Sequence, residues 1–263
     1  MRAILFCLAS LLTLPVFAGV PEVHIDQGAL RGEQAGDIAI FRGIPFAGDA
    51  GGENRWRPPT PAPRWDGVRD ATAAGPICPQ SRRPRQGKVA PWLELFELSE
   101  DCLNLSVYSP GLEPAAKAPV MVWIHGGFAR ISTGSRHDAS EMAARGVVVV
   151  TINYRLDRLG LFAHPALSAE QPDAPLGNYA LMDMQAALRW VQDNIAAFGG
   201  DPGNVTIFGQ SSGGVAVTAL MASPLSQGLF HRAIAQSGAM ADLDSPRELG
   251  RDLPRSPSLE SDG

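Results

Sequence analysis

Asn204-Val-Thr-Ile-Phe-Gly-Gln-Ser-Ser-Gly-Gly214 is the stretch from which this chain is best read. Its first five residues, through Phe208, predict a strand rich in β-branched side chains. From about Gly213 to Ala222 the residues predict a helix. Between the two, Gly209-Gln210-Ser211-Ser212-Gly213 places a G-x-S-x-G pattern in a strand–turn–helix context. A sharp turn there lifts a serine hydroxyl to the top of a sheet. It also sets that hydroxyl at a helix N-terminus, which favours developing negative charge. Only Ser211 has glycine at both −2 and +2, so it, rather than Ser212, is the candidate nucleophile. The plain alternative is an ordinary Gly/Ser turn.

Working outward, Pro119-Val-Met-Val-Trp-Ile124 and Gly146-Val-Val-Val-Val-Thr-Ile152 are continuous apolar runs. Runs of that kind predict strands covered on both faces. The first leads into His125-Gly126-Gly127-Phe128, and a Gly-rich loop at a strand end can aim backbone N–H groups at an oxyanion. A helix is expected from near Asn178, with Leu181, Met184, Leu188, Val191 and Ile195 three and four apart. It should stop at Gly199-Gly200. Arg232-Ala-Ile-Ala-Gln236 reads as a further strand. Strands alternating with helices imply an α/β fold: a mostly parallel central sheet with helices on both faces. Glu22 to Phe46 reads as a small antiparallel meander and 48–65 as loop.

Composition sets the bounds. The chain has 263 residues, a net charge of −5 and 45% hydrophobic content, enough for one large globular domain. An acidic balance without a basic face argues against nucleic acid as a partner. Residues 1–18 read as a signal peptide: Arg2, an apolar run, then Val16-Phe17-Ala18 as the cleavage site. We therefore expect a secreted or periplasmic protein with no stable membrane anchor. Cys7 leaves with the signal, so Cys78 and Cys102 can pair in only one way or remain two buried thiols. A bridge would gain roughly 3 kcal/mol from the unfolded chain's lost entropy and would enclose the polar run Ser81 to Lys88. Asp242 to Gly263 holds no aromatic or β-branched residue and three prolines, so it is expected to be a disordered or frameshifted tail. The globular part then spans 19–241.

Taken together, these motifs resemble the type B carboxylesterase family, relatives of lipases and cholinesterases. The landmarks run in order: Phe41-Arg-Gly-Ile-Pro-Phe-Ala47, Glu100-Asp-Cys-Leu-Asn-Leu-Ser-Val-Tyr108, Asn153-Tyr154-Arg155 and Gly199-Gly200-Asp201-Pro202. After them come the Ser211 segment and Leu229-Phe-His-Arg-Ala-Ile-Ala-Gln-Ser-Gly238. The resemblance implies an α/β-hydrolase fold, incomplete at the C-terminus, with a family disulfide at Cys78 and Cys102. It implies a serine-type carboxylic ester hydrolase acting on a small-molecule ester, with no metal or organic cofactor. Ser211 would be the acyl-forming nucleophile, and the backbone N–H groups of Gly127, Phe128 and Ser212 the oxyanion donors. Trp92, ten residues before Cys102, falls where cholinesterases carry a substrate-site tryptophan; alternatively it packs the loop.

Three departures stand out. Phe128 occupies a position usually small and would intrude on the acyl pocket, and Gln210 replaces the common acidic residue before the nucleophile. The family's acid and histidine lie far downstream of the elbow, and here only His231 follows Ser211. A truncated inactive fragment, or a non-catalytic adhesion or binding relative, is therefore the alternative reading.

Overall fold

The computed structural model describes residues 19–80, 90–172 and 176–238. The signal peptide, the Ser81–Lys88 run and the 242–263 tail of the sequence reading lie outside these residues.

The 22–46 segment forms two hairpins rather than one meander. β1 (Glu22–Ile25) and β2 (Gly28–Arg31) pair antiparallel, and β5 (Val68–Asp70) joins β2 to complete a three-stranded sheet. β3 (Glu33–Ala35) and β4 (Ile38–Pro45) belong instead to the large sheet. Period-two alternation fixes pairing within each hairpin but not the sheet it joins.

The large sheet has seven strands. Four of them are parallel neighbours: β10 (Arg232–Gln236), β9 (Gly200–Gln210), β7 (Ala118–Ile124) and β8 (Val148–Ile152), in that spatial order. Beyond β8 the pairing turns antiparallel through β6 (Asn104–Ser109), β4 and β3. The sheet is therefore mixed, with its parallel part where the βαβ connections lie.

Among the described residues there are five α-helices, in chain order α1 (Ser140–Ala143), α2 (Asp157–Gly160), α3 (Pro165–Glu170), α4 (Tyr179–Asn194) and α5 (Ser212–Ala222). Alternate residues of β8 divide the core. Val148, Val150 and Ile152 share a cluster with Met184, Leu188 and Val191 of α4 and Val217 of α5, while Val149 joins Tyr108 and Ala143 of α1. Helices thus cover both faces, as expected, but unequally. β8 is buried throughout, whereas Met121 and Trp123 of β7 are only half-buried. The expectation that the β7 run is covered on both faces therefore fails on the α1 side, where a single helical turn is too short to shield it.

α4 buries Met184, Leu188 and Val191 of the 3–4 spaced stripe read from the sequence, while Leu181 is half-buried at its start. Asn178 starts it through its carbonyl, which accepts from the N–H groups of Leu181 and Met182, rather than through its side chain. A 3₁₀ turn over Ile195–Phe198 ends at Gly199, whose φ of 76° makes it a left-handed cap. Each fully buried leucine of such a stripe contributes about 1.5–3 kcal/mol. Cys78 and Cys102 form a disulfide, with Cα atoms 4.9 Å apart. No helix among the described residues is long and apolar enough to cross a membrane.

Candidate active site

β9 delivers the chain to Gln210, and α5 begins at Ser212. The corner between them is Ser211, at φ 56° and ψ −126°. A non-glycine residue held there costs on the order of 1–3 kcal/mol and persists only where its surroundings over-determine it. They do. The Ser211 N–H donates to the Gln236 carbonyl at 2.8 Å, and its own carbonyl accepts from Val215 at 3.0 Å. The flanking glycines are required by contact rather than torsion. A Cβ on Gly213 would lie 2.2 Å from the Ile124 carbonyl oxygen, and one on Gly209 would lie 2.6 Å from the Gly213 carbonyl carbon.

The loop after β7 is pressed against this corner. A Cβ on Gly126 would fall 2.4 Å from the Gln210 carbonyl oxygen and 3.2 Å from the Ser211 Cβ. The loop then coils through positive φ at Gly127 (107°), Phe128 (60°) and Ala129 (55°). The Gly127 carbonyl accepts from both Arg130 and Ile131, and the Ala129 N–H donates to the Ser212 hydroxyl at 3.0 Å. Among the described residues, the N–H groups of Gly127, Phe128 and Ser212 donate to nothing. They are the three named from the sequence as oxyanion donors. Phe128 does not intrude on the pocket, because its side chain is 80% exposed; the left-handed backbone swings it outward.

His125 props the loop from beneath. It is 1% exposed, its ring stacks on Tyr154 at 4.3 Å, and its Nδ1 lies 2.9 Å from the Gly126 carbonyl oxygen. Burial, foremost, brings its pKa down to about 4, so it is neutral at pH 7. The Tyr154 hydroxyl donates to the His125 carbonyl at 2.6 Å, and burial raises that phenol's pKa. Sequence reading missed this support, although Tyr154 sits within a family landmark.

The other histidines are also occupied elsewhere. His231 Nδ1 accepts from the Val205 N–H at 3.2 Å, His164 Nδ1 caps α3 through Ala166, and His137 packs its ring on Trp123. His24 lies exposed on β1. None of the five is hydrogen-bonded to Ser211 among the described residues.

Trp92 lies in a 3₁₀ turn over Pro91–Leu95, half-buried, in a cleft of about 310 Å³ that also touches Gly126, Gly127 and Gln210. The Arg136 guanidinium sits over its ring, 4.6 Å from the centroid. Nothing in the sequence spacing joins these two residues. Among the described residues no three His, Cys, Asp or Glu side chains converge on a metal-sized site.

The model of the carboxylesterase family matches residues 19–247. The fumonisin B1 esterase of Sphingopyxis macrogoltabida is 46% identical over 83% of this chain and 40% of its own length. Human carboxylesterase 3 is 47% identical over 84% of this chain and 39% of its own. A crystal structure of a Geobacillus stearothermophilus carboxylesterase superposes with a TM-score of 0.74 at 43% identity, over 83% of this chain and 44% of that one. The chain thus spans about two fifths of the length of the curated relatives it matches.

Proposed function

This chain belongs to the carboxylesterase family, and we propose that it carries the acyl-forming part of a serine-type carboxylic ester hydrolase. In this reading the Ser211 hydroxyl attacks the ester carbonyl. The N–H groups of Gly127, Phe128 and Ser212 receive the oxyanion, the alcohol departs, and water later releases the acid. The observation that carries this reading is the packing of Gly126 against the Ser211 corner, beside three N–H groups without acceptors among the described residues.

The same reading assigns the chain no general base. His125 is buried and neutral, and His231 accepts a backbone hydrogen bond at the far end of β10 from Gln236. In this reading neither histidine serves as the triad's base, and the activity of the chain by itself is correspondingly weak. Oxyanion and binding contacts alone leave roughly 10³-fold acceleration over water. The Cys78–Cys102 disulfide supports export to an oxidising, secreted or periplasmic location.

Without a base to activate water, deacylation is slow as well, so the acyl group should accumulate. Exposure of the chain to p-nitrophenyl butyrate should add one butyryl group, mapped to Ser211 by peptide mass spectrometry. Ser211→Ala should remove both the adduct and the slow release of nitrophenol. Labelling spread over other hydroxyls, or nitrophenol release undiminished in Ser211→Ala, would refute the assignment.

A further inference from the structure

The cleft beside the oxyanion glycines has an unusual charge pattern. Its wall includes Trp92, Leu93, Ile131, Arg136, His137 and Gln210, and among the described residues no acidic side chain lines it. Arg136 is exposed, and no carboxylate pairs with it among the described residues. His137 adds no charge at neutral pH, since burial, with Arg136 beside it, lowers its pKa. Gln210, which is exposed, adds a neutral amide to the same wall. The cleft therefore offers donors and one fixed positive charge.

The guanidinium is also held in place. Stacking 4.6 Å above the Trp92 ring restricts its rotamers, and among the described residues no carboxylate takes its N–H edges. A planar guanidinium in that state is suited to bidentate capture of a carboxylate. A cationic group approaching the covered face of Trp92 would meet Arg136 first and be repelled. The likeness to a cholinesterase tryptophan therefore points to the wrong charge.

We infer that this cleft selects esters bearing a carboxylate, with Arg136, positioned by Trp92, as the specificity-determining residue. A cavity of about 310 Å³ suits a short acid-terminated acyl chain or alcohol. The inference rests on the placement of the ester at Ser211 proposed above, and its test separates the two.

The first arm needs no turnover. Calorimetry on the full chain carrying Ser211→Ala compares monomethyl glutarate, dimethyl glutarate and acetylcholine. The monoanion should bind about tenfold more tightly than the neutral diester, and acetylcholine most weakly. The preference should shrink between about 0.05 M and 0.5 M salt. Adding Arg136→Gln should abolish it, and Arg136→Lys should retain part of it. Equal affinity for the two glutarates, a preference that survives Arg136→Gln, tighter acetylcholine, or no binding of the monoanion would each overturn the inference.

The second arm compares Ser211 acylation by mono-p-nitrophenyl glutarate and p-nitrophenyl butyrate. The Arg136→Gln substitution should lower the ratio of the two rates about tenfold. An unmoved ratio with both adducts on Ser211 would sink the inference and leave the ester hydrolase reading standing. Absence of any Ser211 adduct, with charge-selective binding intact, would do the reverse.

Discussion

Ser211 and His125 show how much of this site is made by packing rather than by side-chain chemistry. The serine is held at φ 56° by backbone hydrogen bonds to Gln236 and Val215, with Gly126 pressed against its Cβ. His125 holds the loop opposite through a ring stack and one contact to Gly126. Its burial has a measurable consequence. The folded pKa lies near 4 against an ordinary 6.5, so between those values the unfolded chain binds a proton that the folded chain refuses. This contribution is complete above about pH 6.5 and is lost as pH falls toward 4, on the order of 3 kcal/mol in all. Urea unfolding of His125→Phe, which keeps an aromatic ring against Tyr154, should show a shallower loss of stability across that window. Carboxylates titrate alike in both proteins, so an unchanged slope would show that His125 is not the group responsible.

At the scale of elements, α4 is secured to the loop after β8 by one buried pair. Arg155 is 2% exposed and Asp183 fully buried; the Arg155 Nε, Nη2 and backbone N–H all donate to that carboxylate at 2.7–3.0 Å. Removing one partner strands a buried charge or its donors, which costs about 3–5 kcal/mol. Asp183→Ala should lower stability by that amount in chemical denaturation. The double substitution Arg155→Met, Asp183→Leu should recover much of it, and a double variant no better than the single one would contradict the desolvation argument. Sequence periodicity could not reveal this pair, because Asp183 interrupts an apolar stripe and its partner is 28 residues away. What was legible is what is local. The 3–4 spacing marked α4, the continuous apolar runs marked β7 and β8, and the strand–turn–helix context marked the Ser211 corner. The division of Glu22–Phe46 between two sheets, the outward turn of Phe128 and the seating of Arg136 on Trp92 depend on contacts between distant segments. Neither periodicity nor motif encodes those.

Across the whole molecule, the two faces of the large sheet are unequally protected, and its β10 edge exposes an apolar side chain. α4 and α5 seal the face that carries Val148, Val150 and Ile152, while the other has α1 and a cleft of about 430 Å³ floored by Trp123, Val149 and Phe208. β10 pairs with β9 and with no other described strand, and four of its five residues are exposed, Ile234 at 44%. A parallel strand placed next to the buried β9 offers a row of unpaired backbone groups and an apolar side chain, the combination that templates edge-to-edge pairing. On its own, then, the chain should self-associate. Sedimentation velocity on purified residues 19–263 should show average mass rising with concentration. Ile234→Lys, a charge on the exposed strand and far from the α4 core, should shift the distribution toward monomer without lowering the unfolding midpoint by more than about 0.5 kcal/mol. A monomer at every concentration would mean that β10 is protected. Association undiminished by the lysine would instead move the contact to the Trp123 face, where Met142→Lys becomes the discriminating substitution.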